Sequence, residues 1–429
     1  MENLIALEWR TESRRLADLL PLGYNPRKIT ATGETELDDS LSKFNLVEIP
    51  VINIDGMLIA GNQRVKRLAI KHGLDYSIDV RVPNRKLTVK EIKEYNVLSN
   101  THQGEWDAVI LESEFSDIDL SELMSTRDMG YVNRAIRGLY NDMESDDEDV
   151  PETPSVPQTC MGDVYELFSL ETGLTHRVLC GDATDAAVVA RLLGEQVPLL
   201  MVTDPPYGVE YDPMWRKDAL PRNALASVGK VMNDDNADWT AVWQLFKAQI
   251  MYVWHAGKFC DVVGQSLRTA GYDIISQIIW NKTNGVISRG DYHWKHEPCF
   301  YAVRKGSTHK WTGARDQWTV WDIENGTSRK VIEAEGQSGH GTQKPLECMR
   351  RPILNNSQKG DVVADPFLGS GTTLIACEEV GRNCYGLELD TKYMDVIVKR
   401  WVGWMKKREL SFAVFKNDEE ITTKTWLHE

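Results

Sequence analysis

At 429 residues, with 42% of them hydrophobic, the chain is long enough for two or three domains, each with its own core. No apolar run reaches the roughly 18 residues of a membrane span and no signal peptide is visible, so the reading is a cytoplasmic protein without a membrane partner. Net charge is −15, which excludes a chain that grips nucleic acid by bulk charge, yet residues 281–351 hold 12 Lys+Arg against 8 Asp+Glu, enough for a local basic face. The seven cysteines, at 160, 180, 260, 299, 348, 377 and 384, form no CxxC pair. They read as reduced core thiols, and no metal site is expected.

Residues 1–140 read as a first, smaller α+β domain. Residues 47–54 and 57–60 pattern as strands around an Asp55-Gly56 turn. A basic helix over 65–72 follows Gly61-Asn62-Gln63-Arg64, then a strand over 76–82 and a helix over 88–99 with Thr88 as its cap. Asn25-Pro26-Arg27, Gly61-Asn62-Gln63-Arg64 and Arg67 together resemble the ParB-like N-terminal domain. In that family the Gly-x-x-Arg turn binds nucleotide phosphates, so the resemblance implies a nucleotide or DNA at Arg64 and Arg67. The plainer reading, that both arginines line the solvated or DNA-facing side of a helix, stands ahead of it, because one short motif matches by chance. The sulfiredoxin relatives of this fold need a catalytic cysteine, and residues 1–140 have none.

Residues 112–139 read as helical and acidic. The acidic block 142–149 then runs into Pro151, Pro154 and Pro157, which makes 141–158 a solvated, semi-rigid linker.

The larger domain, 159–429, reads as α/β. Strands over 163–168 and 176–180 end at Gly181-Asp182-Ala183-Thr184. The apolar run 197–203 has the pattern of a buried parallel strand. It stops at Asp204-Pro205-Pro206-Tyr207-Gly208, where two prolines force the chain out of the sheet in a rigid turn. A carboxylate and an aromatic ring are thereby held at a strand's carboxyl end, where open α/β sheets bind ligands. Asp204 is placed to accept from an amine and Tyr207 to stack on a flat ring. Further strands cover 251–255 and 272–280, with a helix over 257–268 between them. Cys299 sits in an apolar strand and reads as a buried, inert thiol.

A helix over 346–355 precedes the second site. There a strand runs into Asp365-Pro366-Phe367-Leu368-Gly369-Ser370-Gly371-Thr372, and a helix covers 372–380. Glycines let backbone approach a ligand closely, and a helix N-terminus favours a negative group. The next strand, 383–390, ends in acidic residues. Glu388 stands about 20 positions past the glycines, the spacing that puts a carboxylate on ribose hydroxyls. The glycines do not spell G-x-G-x-x-G, which favours a smaller adenosine ligand over a dinucleotide. A helix over 392–406 and a strand over 411–415 close the chain.

Asp204-Pro205-Pro206-Tyr207, His340-Gly341-Thr342-Gln343-Lys344-Pro345 and the 365–372 turn together resemble the amino-methyltransferases of DNA, which transfer a methyl group from S-adenosylmethionine to an exocyclic amine. The catalytic motif precedes the cofactor motif, which is similar to the beta arrangement, a circular permutation of the usual order. The resemblance covers about residues 159–404. It implies a Rossmann-like, doubly wound, circularly permuted sheet, S-adenosylmethionine as cofactor and double-stranded DNA as partner; a homodimer follows only by analogy. It implies Asp182 at the adenine amine, with a helix cap as an equal competing role. It places Asp365, Phe367, Gly369, Ser370, Gly371 and Thr372 around the cofactor, with Glu388 on the ribose and Thr342, Gln343 and Lys344 closing the site. Target recognition is expected within 305–338, which holds Trp311, Arg315, Trp318, Trp321, Arg329 and Lys330, and within the long loop 209–236, which holds Tyr211, Trp215, Arg216, Lys217, Arg222 and Lys230.

A base inside a duplex must be flipped out to react. Tyr207 would stack on it, while the Asp204 carboxylate and the main-chain carbonyl of Pro205 accept from its amine. Asp204, where some family members carry Ser, favours adenine-N6 over cytosine-N4 methylation, which uses the same geometry. The other readings are a ParB-like DNA or nucleotide-binding protein with an inactive methyltransferase body, and methylation of protein glutamine or RNA.

Overall fold

The computed structural model describes residues 6–24, 27–29, 31–99, 105–115, 120–123, 132, 150–209, 235–286, 291–312, 317–323 and 344–428. They form two compact units, one over Met1–Met143 and the other over Glu144–Thr312 and Asp316–Glu429.

The first unit contains β1 (Trp9–Arg15), β2 (Arg27–Lys28), α1 (Ala31–Phe44), β3 (Val51–Ile52), β4 (Leu58–Ala60), α2 (Asn62–His72), β5 (Ser77–Pro83), α3 (Val89–Ser99), β6 (Glu105–Trp106), α4 (Ala108–Glu114) and α5 (Leu120–Leu123). Its four-stranded sheet runs β1-β5-β3-β4. Ile78, Val80 and Val82 of β5 turn inward onto Leu16, Leu58 and Leu68, while the residues between them face solvent, the alternation of a half-buried strand. The strand expected over 47–54 shrinks to β3, because Pro50 has no N–H for a ladder and Asn53 already turns the chain toward Met57. Trp9–Arg15, which carries four charged residues, is an edge strand that apolar periodicity does not reveal. Thr88 caps α3 as expected: its hydroxyl accepts from Glu91 N at 3.2 Å, and the Glu91 carboxylate accepts from Thr88 N at 2.9 Å. The helical, acidic stretch expected over 112–139 falls partly on α4 and α5 and otherwise lies mostly outside the described residues.

The second unit is α/β around an 11-stranded mixed sheet. Its strands are β7 (Val164–Ser169), β8 (Thr175–Cys180), β9 (Leu200–Thr203), β10 (Ile250–Trp254), β11 (Tyr272–Val286), β12 (Trp294–Arg304), β13 (Val320–Ile323), β14 (Val362–Asp365), β15 (Asn383–Glu388), β16 (Phe412–Lys416) and β17 (Glu419–Glu420). The helices are α6 (Ala186–Leu193), α7 (Thr240–Phe246), α8 (Cys260–Thr269), α9 (Leu346–Asn356), α10 (Thr372–Val380) and α11 (Thr391–Lys407). The strand order is β13-β11-β12-β10-β9-β14-β15-β8-β7-β16-β17, with a parallel block from β10 to β8 and antiparallel strands on both flanks. β9 and β10 are buried along their whole length, as apolar strands covered on both faces must be. Met201, Met251 and Val253 point to a core shared with Trp243 of α7 and Leu267 of α8. Tyr252, on the other face, donates to Asn356 of α9 at 2.7 Å.

The direction in which the crossovers wind reverses at the middle of this sheet. From β9 the chain crosses through α7 to β10 on one side; from β14 it crosses through α10 to β15 on the other. β9 and β14 are neighbours, paired in parallel with Ala364 opposite Met201, so their carboxyl ends flank the crevice that such a switch point opens.

Gly386 of β15 lies under that crevice. A Cβ there would stand 2.7 Å from Leu368 Cδ2 and 3.3 Å from the Asp365 carbonyl oxygen. Gly386→Ala is therefore expected to destabilise the second unit by about 1–3 kcal/mol, read as a lowered urea midpoint.

Candidate active site

Both turns that leave the switch point are held by a shared carboxylate. Asp365, at the end of β14, is 1% exposed. Its Oδ1 accepts from the Thr203 hydroxyl at 2.7 Å and Phe367 N at 3.0 Å, and its Oδ2 from the Thr373 hydroxyl at 2.6 Å. One side chain thus ties the end of β9 to the glycine turn and to α10. Burial pushes the Asp365 carboxyl up to about 7.

Asp204 is the first residue past β9. Both its oxygens accept from Lys344 Nζ at 2.8 Å, and Oδ1 also accepts from the Tyr207 hydroxyl at 2.7 Å. Lys344 is 6% exposed. It reaches the Tyr207 oxygen and Glu297 Oε2 as well, each at 2.7 Å, and lies over the Tyr207 and Trp254 rings at 5.1 and 5.7 Å. Glu297 comes from β12, accepts from Tyr207 OH at 3.2 Å and is paired through Oε1 with Lys282 of β11. Two carboxylates and two ammonium groups therefore balance in one cluster. Withdrawal from water raises Asp204 above the ordinary carboxylate range against the pull of Lys344. For Glu297 burial also pushes upward, but Lys344 and Lys282 win and hold it down to about 2. The proline turn is braced from behind, since Trp239 Nε1 donates to the Pro206 carbonyl at 3.1 Å. At Gly208, φ is 74° and a Cβ would meet Ala237 N at 3.1 Å.

In the glycine turn, Gly369 and Gly371 have φ of 55° and 89°, the left-handed region where a side chain is strained. Gly369 N donates to Glu388 Oε2 at 2.8 Å, and Asp390 N to Glu388 Oε1 at 2.9 Å. Burial pushes Glu388 up to about 7. Arg400 of α11 donates to the Ser370 carbonyl at 2.9 Å and the Thr372 hydroxyl at 3.1 Å, fixing the turn from beneath. Phe367 packs edge-on to Trp239, centroids 4.7 Å apart, and so is partly a core residue.

Of the residues expected from sequence, Asp204, Tyr207 and Lys344 form one cluster, with Pro205 and Pro206 in the same turn. Asp365, Phe367, Gly369, Ser370, Gly371, Thr372 and Glu388 make up the neighbouring turn and strand end. Asp182 accepts from Thr184 N at 2.8 Å and the Thr184 hydroxyl at 2.7 Å, while the cap of α6 is Asp185. Thr342 and Gln343 lie outside the described residues, as do Asn25, Pro26, Arg315, Arg329, Lys330 and nearly all of 209–236. Trp318 is 81% exposed, whereas Trp321 is buried. In the first unit Gly61 is the left-handed N-cap of α2, and Arg64 pairs with Glu48 and Arg67 with Asp38. Cys299 is buried and its thiol pushed far up, as expected of an inert core cysteine.

Sequence reasoning missed Glu297, Lys282 and Arg400. Nothing local in the sequence marked the first two as partners of Asp204. His255 was also missed. It follows β10, is 1% exposed, donates through Nδ1 to Ala256 O at 3.1 Å, and burial pushes it down to about 4, which keeps it neutral.

Residues 199–399 match the family model described as DNA methylase, with N6 and N4 methyltransferases in its name. The chain is similar to the type II methyltransferase M.HinfI of Haemophilus influenzae, 32% identical over 34% of this chain and 45% of that protein. It is also similar to the type II methyltransferase M2.DpnII of Streptococcus pneumoniae, 27% identical over 41% of this chain and 75% of that one. The match thus spans less than half of the HinfI enzyme's length. Among solved structures, the M1.HpyAVI–SAM complex aligns over 52% of this chain and 98% of its own, at 21% identity and a TM-score of 0.39, too low to establish a shared whole-chain fold. The family match and the sequence relatives support a DNA amino-methyltransferase region in the second unit. Among the described residues, no helix is long and apolar enough to cross a membrane, and no cluster of side chains could hold a metal ion.

Because the folded pKa of Asp365 is raised, the stability it contributes is full below the ordinary carboxylate range and is lost as pH rises through about 7. Asp365→Asn cannot ionise, so it should cost less stability at pH 8 than at pH 5. The difference should be on the order of 1 kcal/mol or more in urea unfolding.

Proposed function

We propose that the chain is a DNA methyltransferase that moves a methyl group from S-adenosylmethionine to the N6 amine of adenine in a specific double-stranded sequence, after flipping the base. The observation that carries this is the juxtaposition at one switch point: a carboxylate and a tyrosine on a rigid proline turn beside a glycine turn closed by a buried carboxylate.

The glycine turn fits an adenosine-bearing cofactor. Glu388 offers carboxylate lone pairs beyond those used by two backbone N–H groups, as ribose hydroxyls require, and a Cβ at Gly369 would meet nothing within 4 Å, so the backbone is open to close approach. Asp365, Phe367, Ser370, Gly371 and Thr372 shape this turn, and Asp182, Thr342, Gln343 and Lys344 are proposed to complete the cofactor site. When bound, the cofactor supplies an activated methyl group on a sulfonium. What the protein adds is position and field.

The amine of adenine is a poor nucleophile because its lone pair is delocalised into the ring. Asp204 accepts one of its N–H bonds and the Pro205 carbonyl the other, which draws the nitrogen toward a tetrahedral shape and turns its lone pair out of the ring. Tyr207 stacks on the base, and Lys344 holds both Asp204 oxygens, opposing the upward push of burial on that acid. Once methylated, the amine would shed a proton, which Asp204 or water would accept.

An acidic carboxylate at 204 supports adenine; cytosine-N4 transfer is the alternative on the same geometry. For the first unit we propose the ParB-like reading, with a nucleotide or DNA phosphate at Arg64 and Arg67. The Gly61 turn supports it, though each guanidinium would have to exchange a carboxylate partner for the phosphate. A homodimer is proposed by analogy alone.

Nucleosides from DNA incubated with protein and cofactor should contain N6-methyladenine by mass spectrometry; N4-methylcytosine in its place would overturn the choice of base. Asp204→Ala should lower the transfer rate by at least about 100-fold while cofactor affinity, measured by calorimetry, stays near that of the parent.

A further inference from the structure

An ammonium group has three protons, and four oxygens surround that of Lys344: Asp204 Oδ1 and Oδ2 at 2.8 Å each, the Tyr207 hydroxyl at 2.7 Å and Glu297 Oε2 at 2.7 Å. Acceptors outnumber donors by one. Releasing one Asp204 oxygen therefore leaves Lys344 with a full set of three hydrogen bonds. Without Glu297 the count falls to three oxygens for three protons, so an Asp204 oxygen that turned away from Lys344 toward a base amine would leave a buried cation one acceptor short.

We propose that Glu297 is a positioning residue for the methyl transfer: it retains the Lys344 ammonium so that Asp204 can yield one carboxylate oxygen to the amine of the target base. The inference rests on the amino-methyltransferase reading above. Three features of the site support it. Lys282 holds the far oxygen of Glu297, so the carboxylate is anchored independently of Lys344. The Tyr207 hydroxyl lies between the two acids, 2.7 Å from Asp204 and 3.2 Å from Glu297, and can follow either. The Lys344 side chain is 6% exposed, so water cannot readily replace a lost partner.

The test is single-turnover methylation of a duplex substrate at saturating cofactor. Glu297→Ala should slow transfer by roughly 100-fold, while its dissociation constant for S-adenosylmethionine, by calorimetry, changes by less than about threefold. Glu297→Gln keeps one acceptor oxygen at nearly constant volume and should recover part of the rate; it also carries the test should the alanine variant fail to fold. The double variant Glu297→Ala/Lys344→Ala should be no slower than Lys344→Ala alone, because the acid acts through the lysine. A Glu297→Ala rate equal to the parent's, or losses that multiply in the double variant, would overturn the proposal. Failure of the parent protein to methylate DNA at all overturns instead the reading on which it rests.

Discussion

The second unit depends on a single buried carboxylate being shared between two strands. Asp365 gives one oxygen to Thr203 and Phe367 N and the other to Thr373, so the end of β9, the glycine turn and the first turn of α10 cannot move apart without stranding a hydroxyl or an acid in the interior. A three-way junction of this kind converts two separate strand endings into two walls of one crevice. Its near-complete burial favours the protonated acid, and the hydroxyls that face it can donate or accept, so the junction survives either protonation state.

The charges around Asp204 obey a different logic. Removing two carboxylates and two ammonium groups from water costs several kcal/mol for each, and attraction in the interior offsets that only when geometry and hydrogen bonding are complete. The Asp204–Lys344–Glu297–Lys282 cluster approaches that condition by direct pairing, and Tyr207 adds its single proton between the two acids. Such a cluster adds little to stability compared with an apolar core of the same volume. Its use is to fix the Asp204 carboxyl beside Tyr207, with Lys344 opposing the upward push of burial.

Local grammar made much of this legible. Proline after an apolar run, glycines before a helix and an acid at the next strand end each mark one strand and its own turn, so Asp204, the 365–372 turn and Glu388 could be read directly. What was hidden came from elsewhere in the chain. Glu297 and Lys282 belong to antiparallel strands on the flank, and Arg400 is mid-helix, where a cation normally reads as solvated surface. Prolines and polar edges caused the errors in the first unit: Pro50 cuts short a strand that apolar content suggested, and Trp9–Arg15 is too charged to announce itself. The cap role considered for Asp182 belongs instead to Asp185, three residues on.

The parts of the site are widely separated along the chain. Thr203 and Asp365 are 162 positions apart, and Asp204 and Lys344 are 140 apart. During synthesis, β9 therefore leaves the ribosome long before the strand it must lie against. Its apolar length can pair with β10 early, but the edge destined for β14 has to wait, and an unpaired apolar edge is where wrong partners attach. The order of the elements along the chain thus makes maturation wait for the second wall: a nascent chain stopped before Lys344 and Asp365 has the proline turn yet neither its counter-ion nor its opposite wall.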